Sequence, residues 1–144
     1  MSKNWDQRFL QLAAMVASWS KDPSTKVGAV IVRPNRTVAS VGFNGFPRGM
    51  SDSPTLLNNR EAKLSRTIHA ELNAILNAEG PVRGFTLYCT HDPCDRCAVS
   101  IIQAGVVKVV SGPAPPHWHG SCYQADEYFC EAGVERVHSV ILNS

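Results

Sequence analysis

Apolar residues recur along the chain with two different periods, and the change from one period to the other predicts where helices and strands lie. Residues 5–19 carry apolar side chains three or four positions apart, which is typical of a helix with one buried face. Two runs rich in β-branched residues follow at 27–33 and 37–43, separated by the turn residues Pro34-Asn35-Arg36. This part of the chain therefore predicts a helix followed by an antiparallel hairpin.

The remainder of the chain alternates helical and strand-like segments. Helices are predicted over 60–79, 95–104 and 123–132, strands over 85–90, 106–110 and 136–142, and Gly- and Pro-rich loops over 44–53 and 111–120. Strands joined by a helix are expected to run parallel, whereas hairpin strands run antiparallel. The pattern predicts one α/β domain over residues 1–144, with a five-stranded mixed sheet between helices on both faces, a three-layer α/β/α arrangement.

Composition narrows the class of partner. Of the 144 residues, 44% are hydrophobic and 18% are charged, which is the balance of an ordinary globular domain. The formal net charge is only +2 and no run of Lys or Arg stands out, so we expect a small anionic ligand and no nucleic-acid partner. Residues 1–6 are polar and no apolar stretch approaches membrane-spanning length, so neither a signal peptide nor a membrane partner is expected.

The five cysteines do not resemble a disulfide framework, because their number is odd and two of them stand in a C-x-x-C pair. Free thiols indicate a reducing compartment, and we therefore expect a cytoplasmic protein. Cys89, Cys122 and Cys130 are expected to be small buried side chains rather than metal ligands.

Two short segments carry the residue types that bind soft metal ions. His69-Ala70-Glu71 supplies an imidazole, and Pro93-Cys94-Asp95-Arg96-Cys97 supplies two thiols. Three such ligands leave the fourth tetrahedral position of zinc open for water, as in catalytic sites. Zinc lowers the pKa of a bound water to about 7. Glu71 is then the candidate catalytic residue that moves protons for this water.

The spacing also predicts where these residues lie on their helices. Residues two apart point to different sides in the middle of a helix, so His69 and Glu71 can share a site only at a helix start. Pro93 favours the beginning of a helix, which places Cys94 and Cys97 in its opening turns. Two helix N-termini would then face one metal ion, and their exposed N–H groups favour thiolates over thiols.

Two other interpretations of these residues stay open. A structural zinc knuckle would need a fourth ligand, for which the candidates are His91, His117, His119 and Cys122. The C-x-x-C pair is also compatible with a thioredoxin-like redox pair. Asp92, beside the metal segment, is expected to be a helix cap or a surface charge rather than a ligand.

H-x-E followed by P-C-x-x-C is the signature of zinc-dependent nucleobase deaminases, and the surrounding sequence extends the likeness. The segments that carry it lie within residues 5–110 and read DPSTKVGA (22–29), GFNGFPRG (42–49), HAELNAI (69–75), TLYCTHDPCDRC (86–97) and IIQAG (101–105). With these motifs the chain resembles the deoxycytidylate (dCMP) deaminases of the cytidine deaminase superfamily. The resemblance implies a cytidine-deaminase-like fold and the hydrolysis of dCMP to dUMP and ammonia, a step that feeds dTTP supply.

The resemblance also implies roles for individual residues. It implies His69, Cys94 and Cys97 as ligands of Zn²⁺ and Glu71 as the proton shuttle. The residues expected to contact the substrate are Ser24, Thr25, Lys26, Asn44, His69, Ala70, Thr90, Pro93, Trp118 and Tyr123. Ser24, Thr25 and Lys26 are expected near the phosphate, and Asn44 is expected at the sugar hydroxyl, although Lys26 is equally compatible with a solvated loop charge.

Regulation and assembly follow from the same resemblance. In many of these deaminases the loop that corresponds to the GFNGFPRG segment takes part in regulation of a homohexamer, which dCTP activates and dTTP inhibits. The residues implied here are Asn44, Gly45, Phe46, Arg48 and Gly49.

Residues 111–123 depart from the pattern of these deaminases. Three interpretations are open: they place Trp118 or Tyr123 over the base, they place His117 and His119 near a phosphate, or they form a lid or packing loop. The substrate is open as well: dCTP, 5-methyl-dCMP, a free base such as cytosine or guanine, and a tRNA adenosine are the alternatives to dCMP. A non-enzymatic zinc module is the remaining interpretation.

Overall fold

The computed structural model describes residues 2–114 and 119–142, which form six helices and five strands. The helices are α1 (Ser2–Ala17), α2 (Pro54–Leu57), α3 (Arg60–Arg66), α4 (Ala70–Asn77), α5 (Asp95–Gln103) and α6 (His119–Ala132). The strands are β1 (Gly28–Val32), β2 (Val38–Phe43), β3 (Thr86–Cys89), β4 (Lys108–Ser111) and β5 (Glu135–His138). None of the helices in these ranges combines the length and the apolar character needed to cross a bilayer.

The five strands form one mixed sheet in the order β2-β1-β3-β4-β5. Strand β1 is antiparallel to both of its neighbours, β2 and β3. Strands β3, β4 and β5 run parallel, joined through α5 and α6. The predicted hairpin, the parallel crossovers and the five-stranded mixed sheet are all confirmed. The carboxyl ends of the parallel strands therefore meet at one edge of the sheet, where α5 begins.

Alternation along β1 divides the core into two halves. Ala29 and Ile31 pack into a cluster with buried residues of α4, α5 and α6. Val30 and Val32 point to the other face and pack against the apolar side of α1. Because successive side chains of a strand point to opposite faces, a fully buried strand needs helices on both sides. This confirms the predicted three-layer arrangement.

Helix α4 lies unusually close to β2, because Gly42 presents no side chain to it. A Cβ atom at Gly42 would lie 2.6 Å from the carbonyl oxygen of Ala70 and 2.9 Å from the Cα atom of Ala74. Two residues earlier on the strand, the hydroxyl of Ser40 donates a 2.6 Å hydrogen bond to the carbonyl oxygen of Ala74. The start of α4 is therefore held at a set distance from the sheet.

The single helix predicted over 60–79 is wrong, because the chain breaks between α3 and α4. Ile68 pairs with Gly45 in an antiparallel bridge, with N–H···O=C distances of 2.8 and 3.1 Å, and this pairing requires an extended backbone. Thr67 ends α3 by donating its hydroxyl to the carbonyl oxygen of Lys63 at 2.7 Å. Apolar spacing continues through the break, so periodicity alone does not reveal it.

Four further differences lie away from this break. Helix α6 begins at His119, inside the loop predicted over 111–120, and Ser121 ties its first turn to Asp95 by hydrogen bonds. Strand β5 ends at His138 rather than at 142, because its partner β4 ends at Ser111 opposite it. Helix α2 was not predicted. Cys130 is exposed, so its expected burial is wrong, whereas Cys89 and Cys122 are buried as expected.

Candidate active site and metal centre

The three predicted metal ligands meet where two helices begin. His69 is the N-cap residue of α4, Cys94 is the N-cap residue of α5, and Cys97 lies in the first turn of α5. The Nδ1 atom of His69 lies 3.2 Å from the Sγ atom of Cys97 and 3.5 Å from the Sγ atom of Cys94. Neither side chain serves as a hydrogen-bonding N-cap of its helix, so both remain available to a common ligand.

This donor set fits zinc. Zn–S bonds of about 2.3 Å and Zn–N bonds of about 2.0 Å give a tetrahedron whose N···S edges are about 3.5 Å, close to the two distances above. Hydrogen bonds from Cys97 and His69 outweigh the effect of burial and lower the pKa of Cys94 to about 4. A thiolate is thus favoured at Cys94, and thiolates are the form of cysteine that binds metal ions.

Within the part of the chain that the structure describes, these three residues are the only group of His, Cys, Asp and Glu side chains that could hold a metal ion. His91 Nδ1 lies 2.9 Å from the hydroxyl of Thr90, and the thiol of Cys122 contacts the carbonyl oxygen of Asp92 at 3.8 Å. His117 lies outside the described residues, and only the backbone of His119 is described. The described residues therefore offer no fourth protein ligand, which is how a catalytic zinc site differs from a structural one.

Glu71 lies in the first turn of α4 and is only 4% exposed. Burial raises its pKa to about 7, because a charged carboxylate is poorly solvated there. A divalent cation on the neighbouring ligands would lower this pKa again. Glu71 is not one of the metal-binding group, so its carboxyl oxygens stay free to take up and release a proton.

His69, Glu71 and Cys94 line one end of a cavity of about 400 Å³, which is a size typical of small-molecule sites. The other walls combine apolar side chains with several polar ones, and two cations reach them from α3. Those walls include Ser24, Thr25, Asn44, Arg60, Lys63 and Ser121. The cavity therefore joins a metal centre and a buried carboxyl group at one end to hydrogen-bonding and basic groups elsewhere.

Comparison with known proteins decides the family. A family model described as the cytidine and deoxycytidylate deaminase zinc-binding region matches residues 3–113. The chain belongs to this deaminase family. Because the matched region is described as zinc-binding, this deaminase binds Zn²⁺, and His69, Cys94 and Cys97 are positioned to hold the ion.

Individual relatives agree with the family match. The deaminase is 47% identical over 139 residues to an uncharacterized deaminase in the luxG 3' region of Aliivibrio fischeri, which covers 94% of this chain and 93% of the relative. It is 39% identical over 136 residues to the deoxycytidylate deaminase of Homo sapiens, covering 90% of this chain and 76% of the relative. The dCMP deaminase of cyanophage S-TIM5 in complex with dCMP and dUMP superposes with a TM-score of 0.76 at 26% identity, covering 96% of this chain and 99% of the phage protein. These matches confirm the family resemblance and the fold expected from the motifs.

The predicted substrate residues of the deaminase fall into two groups. Five of them line the cavity just described: Ser24, Thr25, Asn44, His69 and Ala70. Three others belong to the scaffold around it. The ammonium of Lys26 donates to the carbonyl oxygen of Ser20 at 2.6 Å, the hydroxyl of Thr90 accepts from the backbone N–H of Gly28 at 3.1 Å, and Pro93 is fully buried.

Neither of the two aromatic residues expected over the base is seen in this cavity: one lines a different cavity, and the other is outside the described residues. Tyr123 is 73% exposed and lines a second cavity, between α6 and the chain after β5. Trp118 lies outside the described residues. Asn44 is buried, and its amide serves the protein itself: Oδ1 accepts from the N–H of Val27 at 2.8 Å and Nδ2 donates to the carbonyl oxygen of Thr25 at 2.9 Å.

The loop expected to be regulatory touches helix α4 of the deaminase. Gly45 forms the bridge to Ile68, and the guanidinium of Arg48 donates to the side-chain oxygen of Asn77 at 2.9 Å. Phe46 is half-buried, and Gly49 adopts a positive φ of 84°, a conformation that favours glycine. This loop is therefore connected to the segment before the helix that carries Glu71 and to the last residue of that helix.

Sequence reasoning missed two cations and misjudged one acid. Arg60 and Lys63 line the cavity from α3, and Lys63 Nζ lies 3.0 Å from the hydroxyl of Ser24 and 3.2 Å from Asp22. A basic residue at every third position, 60, 63 and 66, was the available signal, since such residues share one helix face. Asp92 is neither a cap nor a surface charge: it is largely buried and paired with Arg136 at 2.6 Å.

Proposed function

We propose that this deaminase hydrolyses dCMP to dUMP and ammonia. The observation that carries the proposal is one cavity that holds both the zinc-binding group and the buried carboxyl of Glu71, with Arg60 and Lys63 at its basic wall. Relatives named deoxycytidylate deaminases, and a phage dCMP deaminase solved with dCMP and dUMP, support the same substrate. We take residues 1–144 as a single deaminase domain.

The chemistry is the replacement of the exocyclic amine of the cytosine ring by a water oxygen. When bound, zinc supplies the Lewis acidity that makes a water molecule reactive at neutral pH. A carboxyl oxygen of Glu71 takes one proton from the attacking water and delivers it to the ring nitrogen. It then takes the second proton from the hydroxyl now on the ring carbon and delivers it to the departing amine, which leaves as ammonia. Atoms balance as dCMP plus water giving dUMP plus ammonia. Burial suits Glu71 to this role because it raises the pKa of the carboxyl group and so makes the protonated, proton-donating form easier to reach than in water.

The phosphate and sugar are placed by the polar walls of the cavity. We propose that Lys63 and Arg60, together with the hydroxyls of Ser24 and Thr25, bind the phosphate, since cations and hydroxyls are suitable donors to its oxygens. Lys26 contributes by anchoring the same loop to Ser20. Asn44 shapes the loop from 22 to 27 and presents its remaining lone pair to the sugar hydroxyl.

The remaining substrate contacts are proposed on the resemblance alone. Ala70 and His69 face the base, Thr90 and Pro93 support the metal loop behind it, and Tyr123 or Trp118 covers the ring when substrate binds.

Regulation and assembly are proposed in the same way. We propose that the protein is a homohexamer whose product feeds dTTP supply. We propose that dCTP activates it and dTTP inhibits it through the loop that contains Asn44, Gly45, Phe46, Arg48 and Gly49. The hydrogen bond from Arg48 to Asn77 supports this, because it joins the loop to the helix that carries Glu71. The five cysteines are free, which supports a cytoplasmic location.

A substrate panel tests the proposal. Loss of the cytosine chromophore is followed by ultraviolet absorbance with dCMP, 5-methyl-dCMP, dCTP and cytidine, while ammonia release is measured for guanine and tRNA, each with and without dCTP and dTTP. The highest kcat/KM is expected for dCMP. A higher kcat/KM for another compound would contradict the substrate assignment, and rates that ignore dCTP and dTTP would contradict the regulation.

A matched pair of variants tests the role of Glu71. Glu71→Gln keeps the shape of the side chain and removes its proton chemistry, so kcat is expected to fall by roughly 10²- to 10⁴-fold with zinc still bound. Glu79→Gln changes an exposed carboxyl just beyond α4 and should leave kcat unchanged. Near-normal turnover of Glu71→Gln would refute the mechanism.

A further inference from the structure

Arg136, on β5, lies beyond the residues that the family model matches and is the centre of a buried polar network. Its side chain is 10% exposed. Nη2 donates to Oδ1 of Asp92 at 2.6 Å and to the hydroxyl of Ser111 at 2.8 Å, and Nε donates to Asp126 at 3.2 Å. Nη1 donates to the carbonyl oxygen of Val109 at 2.9 Å. All three guanidinium nitrogens are therefore used, and the group is fixed at the edge of the sheet where β4 and β5 end.

Asp92 is the point at which this network reaches the metal centre. It stands two residues before Cys94, on the connection from β3 to α5, and its side chain is 14% exposed. The same Oδ1 that accepts from Arg136 also accepts from the hydroxyl of Ser111 at 2.6 Å and lies 3.1 Å from Nδ1 of His138. Asp92 lines the substrate cavity as well as the second cavity, so the residue forms the wall between them.

We infer that Arg136 is a positioning residue for the zinc site, which acts by holding Asp92 and thereby the segment that presents Cys94. A metal ligand at the N-cap of a helix takes its direction from the backbone that enters the helix, and here that backbone is fixed by a buried ion pair. Groups one step removed from the ligands typically change metal affinity by about 10- to 100-fold. The buried pair is sensitive to truncation, because removal of one partner leaves the other charge uncompensated.

Asp126 provides a matched control within the same network. It accepts from Nε of Arg136 at 3.2 Å and lies 3.3 Å from Nε2 of His138, but it lies on α6 and is not part of the metal loop. A network that only stabilised the fold would change zinc release only in step with each variant's loss of stability, which is expected to be larger for Asp92 (14% exposed) than for Asp126 (39% exposed). If the network positions the zinc site, substitution of Asp92 or Arg136 should raise the rate of zinc release far more than substitution of Asp126.

The experiment measures how fast the zinc-loaded protein transfers its metal to a chromophoric chelator, so it does not depend on which nucleotide is the substrate. Asp92→Asn and Arg136→Gln are each expected to raise the release rate by about 10- to 100-fold, and Arg136→Lys, which keeps the charge, by less. Asp126→Asn should stay close to the parent protein. With Co²⁺ in place of zinc, the visible d–d bands of the first two variants should shift, since these bands report ligand geometry.

Each outcome decides the inference. Parent-like release and an unshifted cobalt spectrum in Asp92→Asn would overturn it, and so would equal effects of Asp92→Asn and Asp126→Asn. If Arg136→Gln does not fold, Asp92→Asn still carries the test, because it exchanges a carboxylate for an amide of the same shape. If Arg136→Gln folds, its effect on the release rate and that of Asp92→Asn should not add in the double variant. Full additivity would contradict the inference that Arg136 acts through Asp92.

Discussion

Gly42 sets the distance between the sheet and the helix that begins next to the zinc site, and Gly42→Ala perturbs that distance alone. The added Cβ atom would lie 2.6 Å from the carbonyl oxygen of Ala70, whereas ordinary contact begins at 3.4 Å. The backbone nitrogen of Ala74 would be nearer still, so helix α4 must move away from β2 by at least about 0.8 Å. Overpacking of this kind costs about 1–3 kcal/mol of unfolding free energy. A displacement of about 1 Å in a catalytic group costs on the order of 10²-fold in rate. We expect both effects, since α4 carries Glu71 and begins at His69.

Gly28→Ala is the matched control, because Gly28 lies on the neighbouring strand and faces the other helix layer. Its added Cβ atom would meet the backbone of α1 at Ala13 and Ala17. Helix α1 carries no residue of the substrate cavity. Unfolding free energy from urea titration, zinc content and kcat/KM are measured for both variants. Gly28→Ala is expected to lose at least as much stability, because its added Cβ atom would come closer to the backbone, whereas the loss of kcat/KM should be much larger in Gly42→Ala. Equal losses of kcat/KM in the two variants, or parent-like stability of Gly42→Ala, would refute the reasoning.

Three other predictions follow from the site and the core. Lys63→Ala should raise KM for dCMP by roughly 10- to 100-fold, because a charge-assisted hydrogen bond to the phosphate is lost, and should leave KM for deoxycytidine nearly unchanged. Equal changes in both KM values would argue against phosphate binding by Lys63. Removal of zinc by a chelator should lower Tm by about 10 °C, reversibly on adding zinc back, since the metal binds only the folded chain; an unchanged Tm would contradict this coupling. Phe129→Ala should cost about 3–5 kcal/mol in urea titration, because Phe129 is fully buried between α6 and the sheet; a loss below about 1 kcal/mol would contradict its place in the core.

The sequence predicted most of the fold because most of its elements bury one face. The run at 28–32 is apolar throughout and is buried on both faces, and the stripe along α1 covers one side of the sheet. The N-cap positions of His69 and Cys94 followed from a local rule, since residues two apart on a helix share a site only at its start.

What the sequence did not predict depends on contacts between distant residues. The break before His69 results from the pairing of Ile68 with Gly45, which no local periodicity encodes. Lys26 has the right charge for a phosphate, but its ammonium group donates to the carbonyl oxygen of Ser20. Lys63 lines the cavity instead, from a helix that the apolar spacing predicts as continuous with α4. The burial of Asp92 depends on Arg136, 44 residues away.

The two helix-start positions occupied by metal ligands have a further effect on design. A serine, threonine, asparagine or aspartate there would satisfy a free backbone N–H and contribute about 1 kcal/mol, and neither His69 nor Cys94 does so. Both helices consequently begin without a capping hydrogen bond from the side chain at their N-cap. The first turns of these helices should therefore fray early in the metal-free enzyme, and their amide hydrogens should exchange fast. Attempts to thermostabilise this scaffold by improving its helix caps must leave these two positions untouched, since what they lack in local stability is what keeps their side chains free for the metal.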